Sequence, residues 1–297
     1  MSSVAIVTDS GAAIPDELLQ TLQADGGLEV VPMPVTIGER TFDQNQGTSV
    51  FDEIVLAHAL GQQVQTSSPA PGAFSAVYRK LAAQGYSAVV SIHLSSELSA
   101  TYNSARIAAE EAPIPVFVID SGTVSFAYGQ VVCGAVELAR QGISATELAA
   151  IALEMCENST LFFMIPTLDA IRRGGRVHPA LARVGQLLQI RPVGTVENGK
   201  LVYLERPRSL EAAQQILAEL TETEVQRRHH SPAEMEHRRT PQPSGRLSAV
   251  QFCGNDSQAQ TFAADLQLAG EQSPLISPLP PVLSAHTGVG ALAIIIY

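Results

Sequence analysis

The sequence predicts an α/β protein of two domains, an N-terminal one (1–159) with a mainly parallel sheet flanked by helices, and a C-terminal α/β one (160–297) with an antiparallel hairpin. Three observations predict this. Short apolar runs alternate with helical patterns through the first half, as expected of strands joined by helical crossovers. After residue 159 the pattern changes: residues 192–197 and 200–205 read as two strands about Asn198-Gly199, and Asn-Gly supplies the positive φ angles of a tight type I′ hairpin. With 297 residues the chain is also long enough for two cores.

Taken in order, residues 4–7 form a short β-type run, and Pro15-Asp16-Glu17 opens a helix with proline and early acids where a helix start favours them. Residues 50–60 and 73–84 read as helices joined by the stiff loop TSSPAPG. A strand at 88–92 precedes a helix around 99–111, and a strand at 116–119 precedes one around 127–141. A further helix is expected near 144–157, a strand at 161–165, then a helical piece running into Arg172-Arg173-Gly174-Gly175-Arg176. Residues 222–245 show no hydrophobic period and carry Pro232, Pro241, Pro243 and Gly245, so a solvated, mobile insertion is expected there. The apolar run at 291–297 reads as a final buried strand, being far shorter than the roughly 20 residues of a membrane-spanning helix.

Charge and cysteine usage narrow the function. A formal net charge of −11 argues against holding nucleic acid or anionic membrane by long-range attraction. Cys133, Cys156 and Cys253 show neither CxxC nor metal-ligand spacing, and no secretory leader is visible, so a cytoplasmic protein with buried apolar thiols is expected. Asp9 and Asp120 belong to no DxD cluster, so no metal is expected.

Three strands end in short polar groups, Thr8-Asp9-Ser10, Ser95-Ser96 and Asp120-Ser121. Ligands of parallel sheets bind outside such carboxyl ends, but each group is equally suited to capping the next helix. Ser99 is better placed than Ser95 or Ser96 for the cap that follows. The earlier pair is then left for an anion cradle of hydroxyls and free N–H groups. GxSxG, SxxK, HExxH and GxxxxGK[ST] are all absent, so no nucleophile, zinc or ATP machinery is recognisable. Arg173-Gly174-Gly175-Arg176 sets guanidinium groups around a flexible turn. Ser284-Ala285-His286-Thr287-Gly288 sets a histidine and two hydroxyls in a glycine-rich turn before the last strand.

The segments IVTDSGAAIP, TSSPAPGAF, SIHLSSELSATYNSA, VIDSGTVSFAYG, TLDAIRRGGRV, LLQIRPVGTVENGKLV and SAHTGVGALAI follow in this order over nearly the whole chain. Together they resemble the DegV family, whose members are similar to the fatty-acid-binding subunit of bacterial fatty acid kinase. The resemblance implies a carrier without catalytic residues or cofactor, enclosing one long-chain fatty acid with its tail in an apolar tunnel. Carried over by motif, Thr66 of TSSP and Ser95 with Ser96 of LSSELS would hold the carboxylate, and Arg176 of GGR and His286 of SAHTG would lie near the head group. A separate ATP-dependent kinase would phosphorylate the carboxylate, and a membrane acyltransferase of phospholipid synthesis would use the acyl phosphate. Ala100, Ser68 and Val289 depart from the glycine, glutamine and proline usual in the family. Two other readings remain: a serine-dependent hydrolase or transferase using Ser95 with His93 or His286, and a sensor of another small amphipathic acid.

Overall fold

The computed structural model of the chain describes residues 3–42, 47–168, 171–172, 190–229, 247–254, 256–266 and 273–297. Four parallel strands, β1 Val4–Asp9, β2 Leu28–Val31, β6 Ala88–His93 and β7 Val116–Asp120, form one sheet in the order β2-β1-β6-β7. Every residue of the central pair β1 and β6 is buried, because helices cover both faces, and this is why these strands read as unbroken apolar runs. The two-residue period divides them. Val4, Ile6, Val90 and Ile92 pack beneath α5 Phe126–Arg140 and α6 Ala145–Glu157. Ala5, Val7 and Val89 pack beneath α3 Pro71–Ala83 and α4 Thr101–Glu110. Helix α1 Asp16–Gln23 lies by β2, and α2 Gly47–Ala59 lies by β5 of a small antiparallel sheet of β3 Val35–Ile37, β4 Arg40–Phe42 and β5 Val64–Thr66, ordered β4-β3-β5. Those three strands are too short to show a period in the sequence.

The third sheet comprises β8 Thr160–Met164, β9 Val193–Glu197, β10 Lys200–Glu205, β11 Leu247–Phe252, β12 Leu275–Pro278 and β13 Leu292–Ile296, in the order β10-β9-β8-β13-β11-β12. Its expected hairpin is present: Lys200 pairs with Glu197, and Asn198 and Gly199 have φ of 50° and 78°. Only β11 and β12 run parallel; the other pairs are antiparallel.

The two faces of this sheet differ in bulk. On one, Phe162, Met164, Leu292, Ile294 and Ile296 pack beneath α7 Leu210–His229 and α8 Asp256–Asp265. On the other, Ala249, Ala291 and Ala293, interspersed with the larger Leu161, Phe163, Ile165 and Ile295, cluster with Phe126 and Ala127 at the start of α5.

Two expectations need correction. Residues 222–229 are the last two turns of α7, not the start of a mobile insertion; residues 230–245 of that segment lie outside the described residues. The helix shows no apolar stripe here because charge docks it. Arg228, only 8% exposed, donates to Glu224 at 2.6 Å and reaches the Asn158 carbonyl and the Thr160 hydroxyl, each at 2.6 Å. The SAHT segment is likewise no turn: Ser284, His286 and Thr287 lie in a short helix, α9 Pro281–Thr287, started by proline and ended at Gly288 with φ 77°. Proline at the first helical position favours such a start.

Burial works against ionising Glu224, but hydrogen bonds from Arg227 and Arg228 outweigh it and lower the carboxyl from 4.5 to about 2. A carboxyl depressed in the folded state contributes stability above its unfolded value, and that contribution is lost as pH falls through the folded one. We therefore expect Glu224→Gln to be less stable than the wild type at pH 7. In urea melts at a series of pH values the difference should stay constant from about 8 to 5 and vanish between about 5 and 2.

Candidate functional site

The face of the mixed sheet turned towards α5 is the floor of a chamber with about 890 Å³ of space, its open mouth included. Leu161, Phe163 and Ile165 from the β8 segment, Ala291 and Ala293 from the β13 segment, and Leu201 of β10 line the floor. Met33, Leu94, Leu98 and Val124, from loops at the carboxyl ends of the parallel strands, face them, and Val282 and Leu283 of α9 add a side wall. No Lys, Arg, Asp or Glu is found among the described lining residues.

Polar groups gather where β5, α4 and α9 meet. Thr66 ends β5 and shares a hydrogen bond of 2.7 Å with His286 Nε2. Ser68 and Ser99 share one of 2.9 Å, and Ser99 another of 2.9 Å with Thr101, the first residue of α4. Thr287, also in the lining, has a buried hydroxyl with no hydrogen-bond partner among the described residues; the neighbouring Cys253 thiol is a poor one. Ser67 lines the same end and is exposed, so the polar end lies close to the surface. His58 Nε2, 3.1 Å from the Ser284 carbonyl, ties α2 to α9.

Of the residues singled out from the sequence, the structure brings Thr66 and His286 together in this lining and does not bring Ser95 or Ser96 into it. Ser95 is fully buried. Its hydroxyl donates to the Gly199 carbonyl at 2.7 Å and accepts from the Glu97 N–H, while its own N–H is held by the Thr123 carbonyl. Ser96 donates its N–H to Asp120 Oδ1. Ser95 therefore pins the loop that carries Leu98 and Ser99 to the β9–β10 turn, and the Ser96 N–H ties it to the end of β7. Arg176 lies outside the described residues. Ser68 and Ser99 were not assigned to the head group by sequence reasoning, although both stand within the two serine-rich segments it singled out.

Histidine 93 does not serve Ser95. Its Nε2 lies 2.7 Å from Ser91 Oγ and its Nδ1 2.9 Å from Asp9 Oδ2. Tyr78 joins Ser91 at 2.9 Å, and Tyr128 donates to Asp9 Oδ1 at 2.7 Å. The chain of contacts resembles a nucleophile with its base and acid, but all five residues have 0% exposure, so no substrate reaches Ser91. It locks the ends of β1 and β6 instead. Cys156 and Cys253 are buried and Cys133 is partly so; burial pushes Cys133 and Cys156 up to about 12 and Cys253 to about 11.

One residue missed by sequence reasoning organises the wall. Gln251 of β11 is fully buried, and its amide donates to the Ala13 carbonyl and to Ser277 Oγ, each at 3.0 Å. Its carbonyl accepts from Ser125 Oγ and, at 3.3 Å, from the Phe126 N–H. The available signal was a lone amide in the apolar run Leu247-Ser248-Ala249-Val250-Gln251-Phe252.

Comparison with known proteins places the geometry in a family. The family model described as "Uncharacterised protein, DegV family" matches residues 3–297. A DegV domain-containing protein of Streptomyces coelicolor is 33% identical over 297 residues, covering 99% of this chain and 98% of its own. The solved structure of a DegV family protein from Thermus thermophilus, described by its fatty acid binding, superposes with a TM-score of 0.83 at 26% identity, covering 99% of both chains. DegV of Bacillus subtilis, described as a fatty acid binding protein, gives 0.81 at 27% identity, also over 99% of both.

The role of Ser95 as a pin can be tested apart from ligand. In Ser95→Ala the buried Gly199 carbonyl loses its donor, and a buried group left unsatisfied costs about 1–3 kcal/mol. We expect a loss of that size in urea unfolding of the ligand-free protein, with unchanged far-UV circular dichroism.

Proposed function

The chain belongs to the DegV family, and from that premise we propose that its chamber encloses one long-chain fatty acid. The carboxylate lies at the polar end, against Thr66, His286, Ser99 with Ser68, and Thr287; Arg176 is assigned to the same head group. The acyl chain lies on the floor formed by Leu161, Phe163, Ile165 and Ala293. The observation that carries this reading is the polar end of an otherwise apolar lining, where the buried Thr287 hydroxyl, left with no partner but the weakly accepting Cys253 thiol, joins the Thr66–His286 pair. A buried donor without a partner is unfavourable unless a ligand or water supplies one, and a carboxylate accepts from several donors at once. The apolar floor supports the other half, since each acyl methylene moved out of water contributes about 0.8 kcal/mol.

In this reading the protein is a carrier, not an enzyme. Its polar end, near the surface, presents the carboxylate to a separate ATP-dependent kinase that forms the acyl phosphate, which an acyltransferase at the membrane then uses in phospholipid synthesis. The absence of a phosphate-binding glycine loop from the sequence supports leaving the ATP chemistry to a partner. Ser95 and Ser96 contribute by holding the loop of Leu98 and Ser99.

Mass spectrometry of the gently purified protein, native and after organic extraction, is expected to find about one long-chain fatty acid per chain; no lipid, with no uptake of added fatty acid, overturns the proposal. The head-group assignment has its own check. Hydrogen bonds to a charged group contribute about 1.5–3 kcal/mol, so Thr66→Val with His286→Ala should weaken binding of stearic acid by about 10-fold to 100-fold. Binding of the alcohol of equal length should change far less.

A further inference from the structure

We propose that the floor of the chamber turns a corner at Phe163, so that the protein prefers an acyl chain bent by a cis double bond to a saturated or trans chain of equal length, with Phe163 as the residue that sets the preference. This rests on the fatty-acid reading above.

Strand register gives the shape of the floor. Side chains on one face of a strand recur every second residue, so the lining residues fall in rows across the sheet. Ala291 marks the row at the α9 end, because its N–H donates to the carbonyl of Gly288, the residue after Thr287. In the next row Ala293 pairs with Phe163, and in the row beyond it Ile295 pairs with Leu161 on one side and Ala249 on the other. Ala291, Ala293, Phe163 and Leu161 line the chamber, whereas Ile295 and Ala249 are fully buried and stand outside the lining. The floor therefore leaves β13 after Ala293. It continues sideways, since Leu201 of β10, two strands away from β8, is again in the lining.

The direct way from Ala293 to β10 is closed. Tyr203 pairs with Gly194 and Gly194 with Phe163, and the two rings meet across this glycine, edge to face, with centroids 5.9 Å apart and planes at 89°. A Cβ on Gly194 would stand 2.7 Å from Phe163 Cζ, so the phenyl ring leans over the glycine. Gly194 and Tyr203 are outside the lining; the ring pair is a wall across that row. Leu161 and Leu201 each stand two residues before a ring of the pair, on strands that run the same way, so the open path passes over Leu161 and rounds Phe163. A saturated chain can follow such a turn only by giving up its extended rotamers. A trans double bond keeps the chain straight, while a cis double bond sets the bend before binding, and a ligand already shaped for its site binds more tightly.

The test uses the full chain stripped of lipid, titrated with stearic, oleic and elaidic acids, which share one chain length and carry no double bond, a cis one and a trans one. We expect wild type to bind oleic acid about five-fold tighter than either of the others. Phe163→Leu and Phe163→Met keep the position apolar but lack the ring, and in them the difference should shrink to less than about two-fold, with oleic acid still bound and so reporting a folded chain. The wild-type comparison decides the preference even where a variant fails to fold. If stearic or elaidic acid binds wild type as tightly as oleic acid, or the cis preference survives in both variants, the assignment is overturned while the fatty-acid reading stands. If none of the three acids binds wild type, both readings fall.

Discussion

The side-chain amide of Gln251 is the contact on which the chamber depends. It rises from β11, next to the edge strand of the mixed sheet, and engages the loops that follow β1 and β7 of the parallel sheet, through Ala13, Ser125 and Phe126. Two of these partners, Ala13 with φ 52° and Ser125 with φ 64°, hold backbone conformations that non-glycine residues adopt at a cost of about 1–3 kcal/mol. A buried amide with both ends satisfied is stable only in one arrangement. The strained turns and the amide therefore define each other, and together they fix how far the apolar floor stands from Val124, Ser125 and the start of α5. Without that spacing the two apolar faces would be free to close on each other.

The Asp9 cluster plays the matching part inside the parallel sheet. Asp9 accepts from Tyr128 of α5, from the Gly11 N–H and from His93 at the end of β6, so the turn leading to Ala13 is set before Gln251 meets it. Close approach is part of this: a Cβ at Gly129 would stand 2.0 Å from the Ala12 carbonyl oxygen, a backbone atom with no freedom to move aside. Polar groups that look catalytic in sequence thus serve to aim a loop. Their complete burial separates framework from site, since a group that meets a ligand must border a cavity.

Legibility in the sequence followed the range of the interaction. The parallel strands and the hairpin were readable because apolar runs and Asn198-Gly199 act locally. Thr66 and His286 were reached through motifs, yet their meeting spans 220 residues and no local pattern encodes it. Ser95 misled for the same reason: it looks like a free hydroxyl at a strand end until the hairpin turn, 104 residues later, accepts from it. The end of α7 was hidden because its anchor is Glu224 with Arg228, which reads as solvated charge, and α9 because seven residues with two glycines close behind resemble a turn.

On the proposed reading, a protein of net charge −11 gains nothing from long-range attraction to an anion, so recognition of a carboxylate must come from short-range contacts. A buried arginine or lysine would supply them at a large desolvation cost in the empty protein. Hydroxyls are cheaper to bury, and the described polar end uses them: Ser68 pairs with Ser99 and Thr66 with His286, and hydroxyl rotors can turn towards another acceptor. Thr287 is the exception, a donor held in reserve. With the head group recognised by such modest contacts, most of the affinity falls to the apolar floor.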